Sequence, residues 1–213
     1  MREIWFAVLV AVTLAAGLPA AAQAPAAKVD AGKAAGLLAL SPQDRILGNP
    51  KAPVTIIEYA SLTCPHCAHF ENEVLPEIEK KWIDTGKAKL VMRDFPLDGE
   101  ALAAEVLARC VSPQRYYPLV KTLFASQPEW VPGPDWRAAL GRIAKLAGIG
   151  SGEFTACLAN KQLENEVTDS RLVASQQLGV DATPTFFING KKFEGDPTVA
   201  ALNQEIAAAA AKS

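Results

Sequence analysis

The chain changes its hydrophobic period several times, and each change marks an element. Val54–Ala60 (VTIIEYA) is rich in β-branched residues and apolar on both faces, which predicts a central strand buried on two sides. After Ser61-Leu62-Thr63 comes Cys64-Pro65-His66-Cys67, and beyond it Phe70, Val74, Ile78 and Trp82 recur at helical spacing. The two cysteines therefore open an amphipathic helix, which Pro76 must kink or restart. Residues 87–95 read as a second strand with Leu90 and Val91 inside it. From about residue 98 to 179 the period is helical almost throughout, clearest at 101–110, 118–125, 134–147 and 164–178, with Pro and Gly between. Thr185–Ile188 returns to a strand pattern, Asn189-Gly190 is a tight hairpin turn, 191–193 starts the return strand, and an Ala-rich helix spans 197–211. This order predicts an α/β sheet interrupted by a helical insertion.

The region before the first strand is different in kind. After Arg2, residues 4–18 are uncharged and mostly apolar, then Pro19 and Ala20-Ala21-Ala22 follow. That is a secretory signal over 1–22, cut after Ala22, and it is short for a membrane span. An uncleaved anchor is the alternative. The exported protein is expected in the periplasm, an oxidising space where disulfides persist. Residues 23–47 are Ala, Pro, Gly and Lys-rich and read as a flexible N-terminal arm, with a short helix around 34–40 the one element the pattern admits.

Composition narrows the function. Of 213 residues half are hydrophobic, enough for a core and against disorder. With 21 basic and 23 acidic side chains the net charge is −2, which argues against a nucleic-acid partner. Four cysteines are too few for a disulfide-stapled scaffold, so each needs its own account.

Cys64 and Cys67 stand three positions apart on one face of a first helical turn, where two sulfurs reach disulfide geometry. Pro65 at the first helical position loses nothing by lacking an N–H. Cys64 then falls at the N-cap, its sulfur near the free amides of His66 and Cys67 and the positive end of the helix. Those features stabilise a thiolate and make Cys64 the reactive sulfur, with His66 adding a donor or a charge. A metal site is the competing reading, but the chain has only two histidines, and His69 lies five residues from Cys64, off the shared face. A purely structural bridge closes too small a loop to stabilise much. Spacing and cap position favour redox exchange, with no metal and no cofactor.

Residues 46–54 (ILGNPKAPV), Glu58, the Cys64-Pro65-His66-Cys67 motif and residues 183–191 (TPTFFINGK) together resemble the DsbA family of periplasmic thiol:disulfide oxidoreductases. The resemblance covers about residues 44 to 205. It implies a thioredoxin fold, 48–96 and 181–213, carrying an inserted α-helical domain at 97–180. It also implies that Pro184, after Thr183, is a cis-proline facing the reactive disulfide, where an extended client can pair as an added strand. Glu58, six residues before Cys64, resembles the family's buried acid that moves the Cys67 proton; a solvated strand end is the alternative. An oxidising compartment favours a structural Cys110–Cys157 disulfide over two unpaired buried thiols, and the resemblance supports the pairing, since some family members carry such a second bridge.

The activity implied is oxidation of exported proteins through a mixed disulfide at Cys64, with a membrane partner of the DsbB kind restoring the pair. The protein is expected to act as a monomer. An isomerase or reductase is the nearest alternative, and a periplasmic metal-binding or chaperone-like module the alternative of another class.

Overall fold

The structure is a computed structural model that describes residues 31–131 and 133–212. The signal segment expected at 1–22 lies outside those residues. Five strands form one sheet: β1 (Ile46–Gly48), β2 (Val54–Ala60), β3 (Ala88–Asp94), β4 (Thr185–Ile188) and β5 (Lys191–Lys192), in the order β1-β3-β2-β4-β5. β2 runs parallel to β3 and antiparallel to β4, with Ile57 opposite both Val91 and Phe187. β2 is thus central, in keeping with its burial at every position but Thr55. The β2–β3 crossover is helical, beginning as α2 (Pro65–His69) and passing through α3 (Leu75–Ile78).

That crossover helix is not uniform. Phe70–Val74 and Glu79–Ile83 are π-helical turns on either side of α3. Pro76 sits in the first turn of α3, where it restarts the helix. Each π-turn takes in one extra residue, so Phe70, Val74, Ile78 and Trp82, spaced by four, all stay buried on one side.

The helical insertion follows β3: α4 (Gly99–Cys110), α5 (Pro113–Ala125), α6 (Gln127–Trp130), α7 (Trp136–Leu146), α8 (Ser151–Leu158) and α9 (Lys161–Gln177). α5 begins five residues earlier than the pattern suggested, because Pro113 takes its first turn and Pro118 is accommodated inside the helix. A Cys110–Cys157 disulfide joins the end of α4 to α8. The chain then returns to the sheet, and α10 (Val199–Ala210), capped by Thr198, closes it.

At the hairpin, Asn189 and Gly190 both take positive φ, 45° and 81°, the pairing a two-residue turn needs. Asn189 also accepts from the Thr55 N–H at 2.7 Å, tying the turn to β2.

Period-2 alternation gives β2 two different faces. Val54, Ile56 and Ala60 join the larger core, with the crossover helix, α10 and the insertion. Ile57 and Tyr59 join Val91, Phe95, Leu178 and Phe187 in a smaller core behind the sheet. Glu58 falls on the first face, under α2.

One expectation is corrected here. Residues 31–47, read from composition as part of a flexible arm, carry the helix α1 (Ala31–Leu37) and most of β1, and Leu38 is buried in the rear core. The cause is Arg93 on β3. Its guanidinium donates to both Asp44 carboxylate oxygens at 2.9 and 3.0 Å and to the Leu37 and Ala39 carbonyls at 2.8 Å. A nearly buried bidentate ion pair that also satisfies helix-end carbonyls fixes what low complexity alone would leave loose.

Candidate active site

The loop from Ser61 to Cys64 leaves the end of β2 and delivers Cys64 to the N-cap of α2, with extended backbone (φ −75°, ψ 121°). Both Cys64 and Cys67 are free thiols and buried. Their environments differ sharply. The Cys64 sulfur receives a hydrogen bond from the Cys67 side chain, and this lowers its pKa to about 5 against the opposing effect of burial. The Thr183 side chain and the amides of Cys67 and His66 add to the lowering. The amides act as nearby dipoles, because the sulfur closes no capping hydrogen bond of good geometry, a departure from the simple N-cap expectation. As a thiol, Cys64 instead donates to the Thr183 carbonyl at 3.3 Å.

Cys67 lies within α2 and is fully buried. Burial, its hydrogen bond to Cys64 and the charges of Glu58 and Cys64 all push its pKa far up. One thiol is a thiolate at neutral pH and its neighbour is a neutral donor to it.

Across from Cys64, the Thr183–Pro184 peptide bond is cis. This turn and α2 border a groove of about 560 Å³. Phe70, Val74, Pro197 and Val199 give it apolar walls, and His66 and His69 stand at its rim. His66 is exposed on the first turn of α2, whereas His69 points to Glu73 at 3.2 Å on an exposed face. The Thr183 hydroxyl is buried and closes no hydrogen bond of good geometry, yet it is near enough to the Cys64 sulfur to contribute to the lowering of its pKa.

Glu58 is 1% exposed, so the solvated strand end is excluded. Burial raises its carboxyl well above the usual range, and the charges of Glu71 and Cys64 raise it further. One of its oxygens has no partner.

A family model described as thioredoxin matches residues 40–208. The crystal structure of α-DsbA1 from Wolbachia pipientis aligns with a TM-score of 0.77 at 34% identity, covering 84% of this chain and 96% of that one. The chain belongs to the DsbA family. Among its DsbA-like curated relatives, a putative protein-disulfide oxidoreductase of Rickettsia typhi is 35% identical over 153 residues, 71% of this chain and 56% of the relative. Disulfide bond formation protein D of Bacillus subtilis is 30% identical over 156 residues, 68% of each chain. The chain spans a little over half the length of the rickettsial relatives it matches.

In this DsbA-family chain the site contains two buried acids that sequence reasoning missed. Glu71 lies in the π-turn just past Cys67, and burial raises its pKa to about 7, with Lys121 opposing and Glu79 assisting. The helical pattern offers no warning of it, since the π-turn is what rotates residue 71 inward. Glu105 of α4 is fully buried and accepts from the Leu62 N–H at 3.2 Å. Its inward position follows from tertiary packing against the loop and has no local signal.

The Cys64 shift makes the reduced fold sensitive to pH. A thiol whose folded pKa is about 5, against an ordinary 9, adds stability that is complete above pH 9 and lost as pH falls through 5. The oxidised form has no such group. The melting temperature of the reduced form should therefore rise relative to the oxidised form between pH 5 and pH 8, as calorimetry of both forms would show. Parallel curves across that interval would mean that the Cys64 thiolate is not stabilised.

Proposed function

We propose that this chain is a protein disulfide oxidoreductase that passes the Cys64–Cys67 disulfide to exported proteins. The observation that carries the reading is the asymmetry of the two sulfurs beside the Thr183–Pro184 turn. A client thiolate attacks the Cys64 sulfur, forming a mixed disulfide and expelling Cys67 as a thiolate. Glu58, buried beneath with its carboxyl pKa raised by burial, gives Cys67 the proton it needs. A second client thiolate then attacks the client sulfur of the mixed disulfide and releases Cys64 as a thiolate, a good leaving group because its pKa is low. The client gains a disulfide and the Cys64–Cys67 pair is left reduced by two electrons.

Thr183 and Pro184 support binding of an extended client along the groove, and His66 at its rim supplies a donor to the sulfur or the client. The family resemblance and the apolar segment at 4–18 support a periplasmic location. A membrane protein of the DsbB kind, itself able to pass electrons onward, is the reoxidising partner. The Cys110–Cys157 bridge takes no part in exchange.

The test is stoichiometric. Oxidised protein mixed with a reduced two-cysteine peptide should yield one peptide disulfide and two new thiols at Cys64 and Cys67, followed by mass spectrometry. Glu58→Gln, which cannot exchange a proton at its side chain, should slow reoxidation of the reduced pair several-fold at pH 6 to 8 while the fold persists. An unreactive peptide would defeat the oxidase reading. An unchanged Glu58→Gln rate would remove Glu58 from the mechanism. Native mass spectrometry separates the metal-carrier alternative, since such a module would retain an ion.

A further inference from the structure

The loop bearing the reactive cysteine is held from outside its own domain. Ser61, Leu62, Thr63 and Cys64 are all buried, and their polar groups find partners in the helical insertion. Leu62 N–H donates to Glu105 of α4, and the Thr63 hydroxyl donates to Asp98, the N-cap residue of α4, at 2.8 Å. The remaining contact comes from α6. Gln127 is 7% exposed, and its Nε2 donates to two carbonyls, Leu62 at 2.9 Å and Cys64 at 3.1 Å. Of these three side chains, Gln127 alone touches the backbone of the reactive cysteine.

The choice of side chain matters physically. A primary amide is a neutral group that gives two hydrogens from one nitrogen, so it can satisfy two carbonyls without adding a net charge. Each of those carbonyls turns the negative end of a dipole into a buried region that must also accept a thiolate. A donor on each one offsets that dipole. The Cys64 carbonyl also receives the Ala68 N–H at 3.1 Å, the first hydrogen bond of the crossover helix. The Gln127 contact therefore acts on the joint between loop and helix start, where the direction of the Cα–Cβ bond of Cys64 is decided.

We infer that Gln127 is a positioning residue for thiol exchange, by which the inserted helical domain sets the orientation and dipolar surroundings of the Cys64 sulfur. The inference rests on the proposed exchange function. It gives the insertion a chemical part in that reaction alongside its structural one.

Gln127→Met keeps length and volume and removes both donors. In the full-length reduced protein, ultraviolet absorbance of the thiolate against pH reads the Cys64 titration directly, and equilibration with glutathione reads the redox balance. The expected result is a Cys64 pKa raised by roughly one unit and a glutathione equilibrium shifted about tenfold toward the disulfide. Ile143→Val, a core change in α7 that removes a methylene away from the loop, controls for general loss of stability and should move neither readout. If Gln127→Met fails to fold, Gln127→Asn retains the amide but falls a methylene short of the carbonyls, and carries the same expectation.

A Gln127 variant that melts earlier yet titrates and equilibrates as the parent does would overturn the inference and leave Gln127 a packing residue. A shift shared equally by Ile143→Val would overturn it too. Both readouts use the protein's own cysteines and no client, so failure of peptide oxidation would count against the proposed function alone.

Discussion

Cys67→Ser leaves Cys64 joined to client proteins in lasting mixed disulfides, whereas Cys64→Ser forms none and lowers exchange by at least about a thousandfold. The reason is the unequal surroundings of the sulfurs. The Cys64 pKa is lowered to about 5, and its sulfur meets the carbonyl of Thr183, a residue that lines the groove, so Cys64 is expected to form the bond to the client. Cys67 is buried with its pKa pushed far up, and in the proposed exchange its attack on a mixed disulfide at Cys64 is the reverse of the first step, which frees the client once the Cys67 proton has gone. A serine there cannot perform that displacement. Non-reducing electrophoresis of both variants with a client that carries a disulfide, which the Cys64 thiolate attacks with expulsion of one client thiolate, followed by peptide mapping, checks the result. Equal trapping by the two variants would contradict the asymmetry. Limiting alkylation of the parent near pH 6 should agree, with Cys64 labelled first.

Removing the second bridge should have the largest effect on stability. Cys110 and Cys157 are 47 positions apart, and closing a loop of that size restricts the unfolded chain by up to about 4 kcal/mol in the chain-entropy account. Replacing both with Ala should lower the melting temperature by about 10 °C in a chain of this size. Peptide oxidation at 25 °C should stay close to that of the parent, because neither residue lies in the groove. Calorimetry of the oxidised proteins gives the first quantity and a rate assay the second. Mild reduction adds an internal check: Cys64–Cys67 should open while Cys110–Cys157 stays closed. Four thiols appearing together would contradict the division of labour between the bridges.

The strands and the two reactive cysteines were legible in the sequence because their signals are local. VTIIEYA and TFFI have the composition of buried strands and occupy β2 and β4. The Cys-Pro-His-Cys run carries its own helix start. A short helix near 34–40 was legible and stands at Ala31–Leu37, but the fixing of that segment was not, because its stabiliser, Arg93, lies in β3 and reaches it only once the sheet exists. Glu71 was invisible because a π-turn shifts the helical phase by one residue. Gln127 stands between Ser126 and Pro128, a sequence that reads as a break between helices. Its burial is a consequence of the insertion folding back on the loop. The reactive atoms were therefore readable, and the groups that tune them were not, because tuning depends on contacts between segments far apart in the chain.

The central pairing of β2 with β4 also dictates an order of assembly. Ile57 meets Phe187 only after the whole insertion has been made, so that ladder is the long-range, slow-closing part of the molecule. The Thr183–Pro184 turn sits immediately before β4 and arrives at the same late moment. The bridge from α4 to α8 needs neither strand. As the chain is made from its N-terminus, Cys110 and Cys157 are both present before the Thr183–Pro184 turn that faces Cys64 exists. An oxidant that closes that bridge before β4 has been made must come from outside the nascent chain.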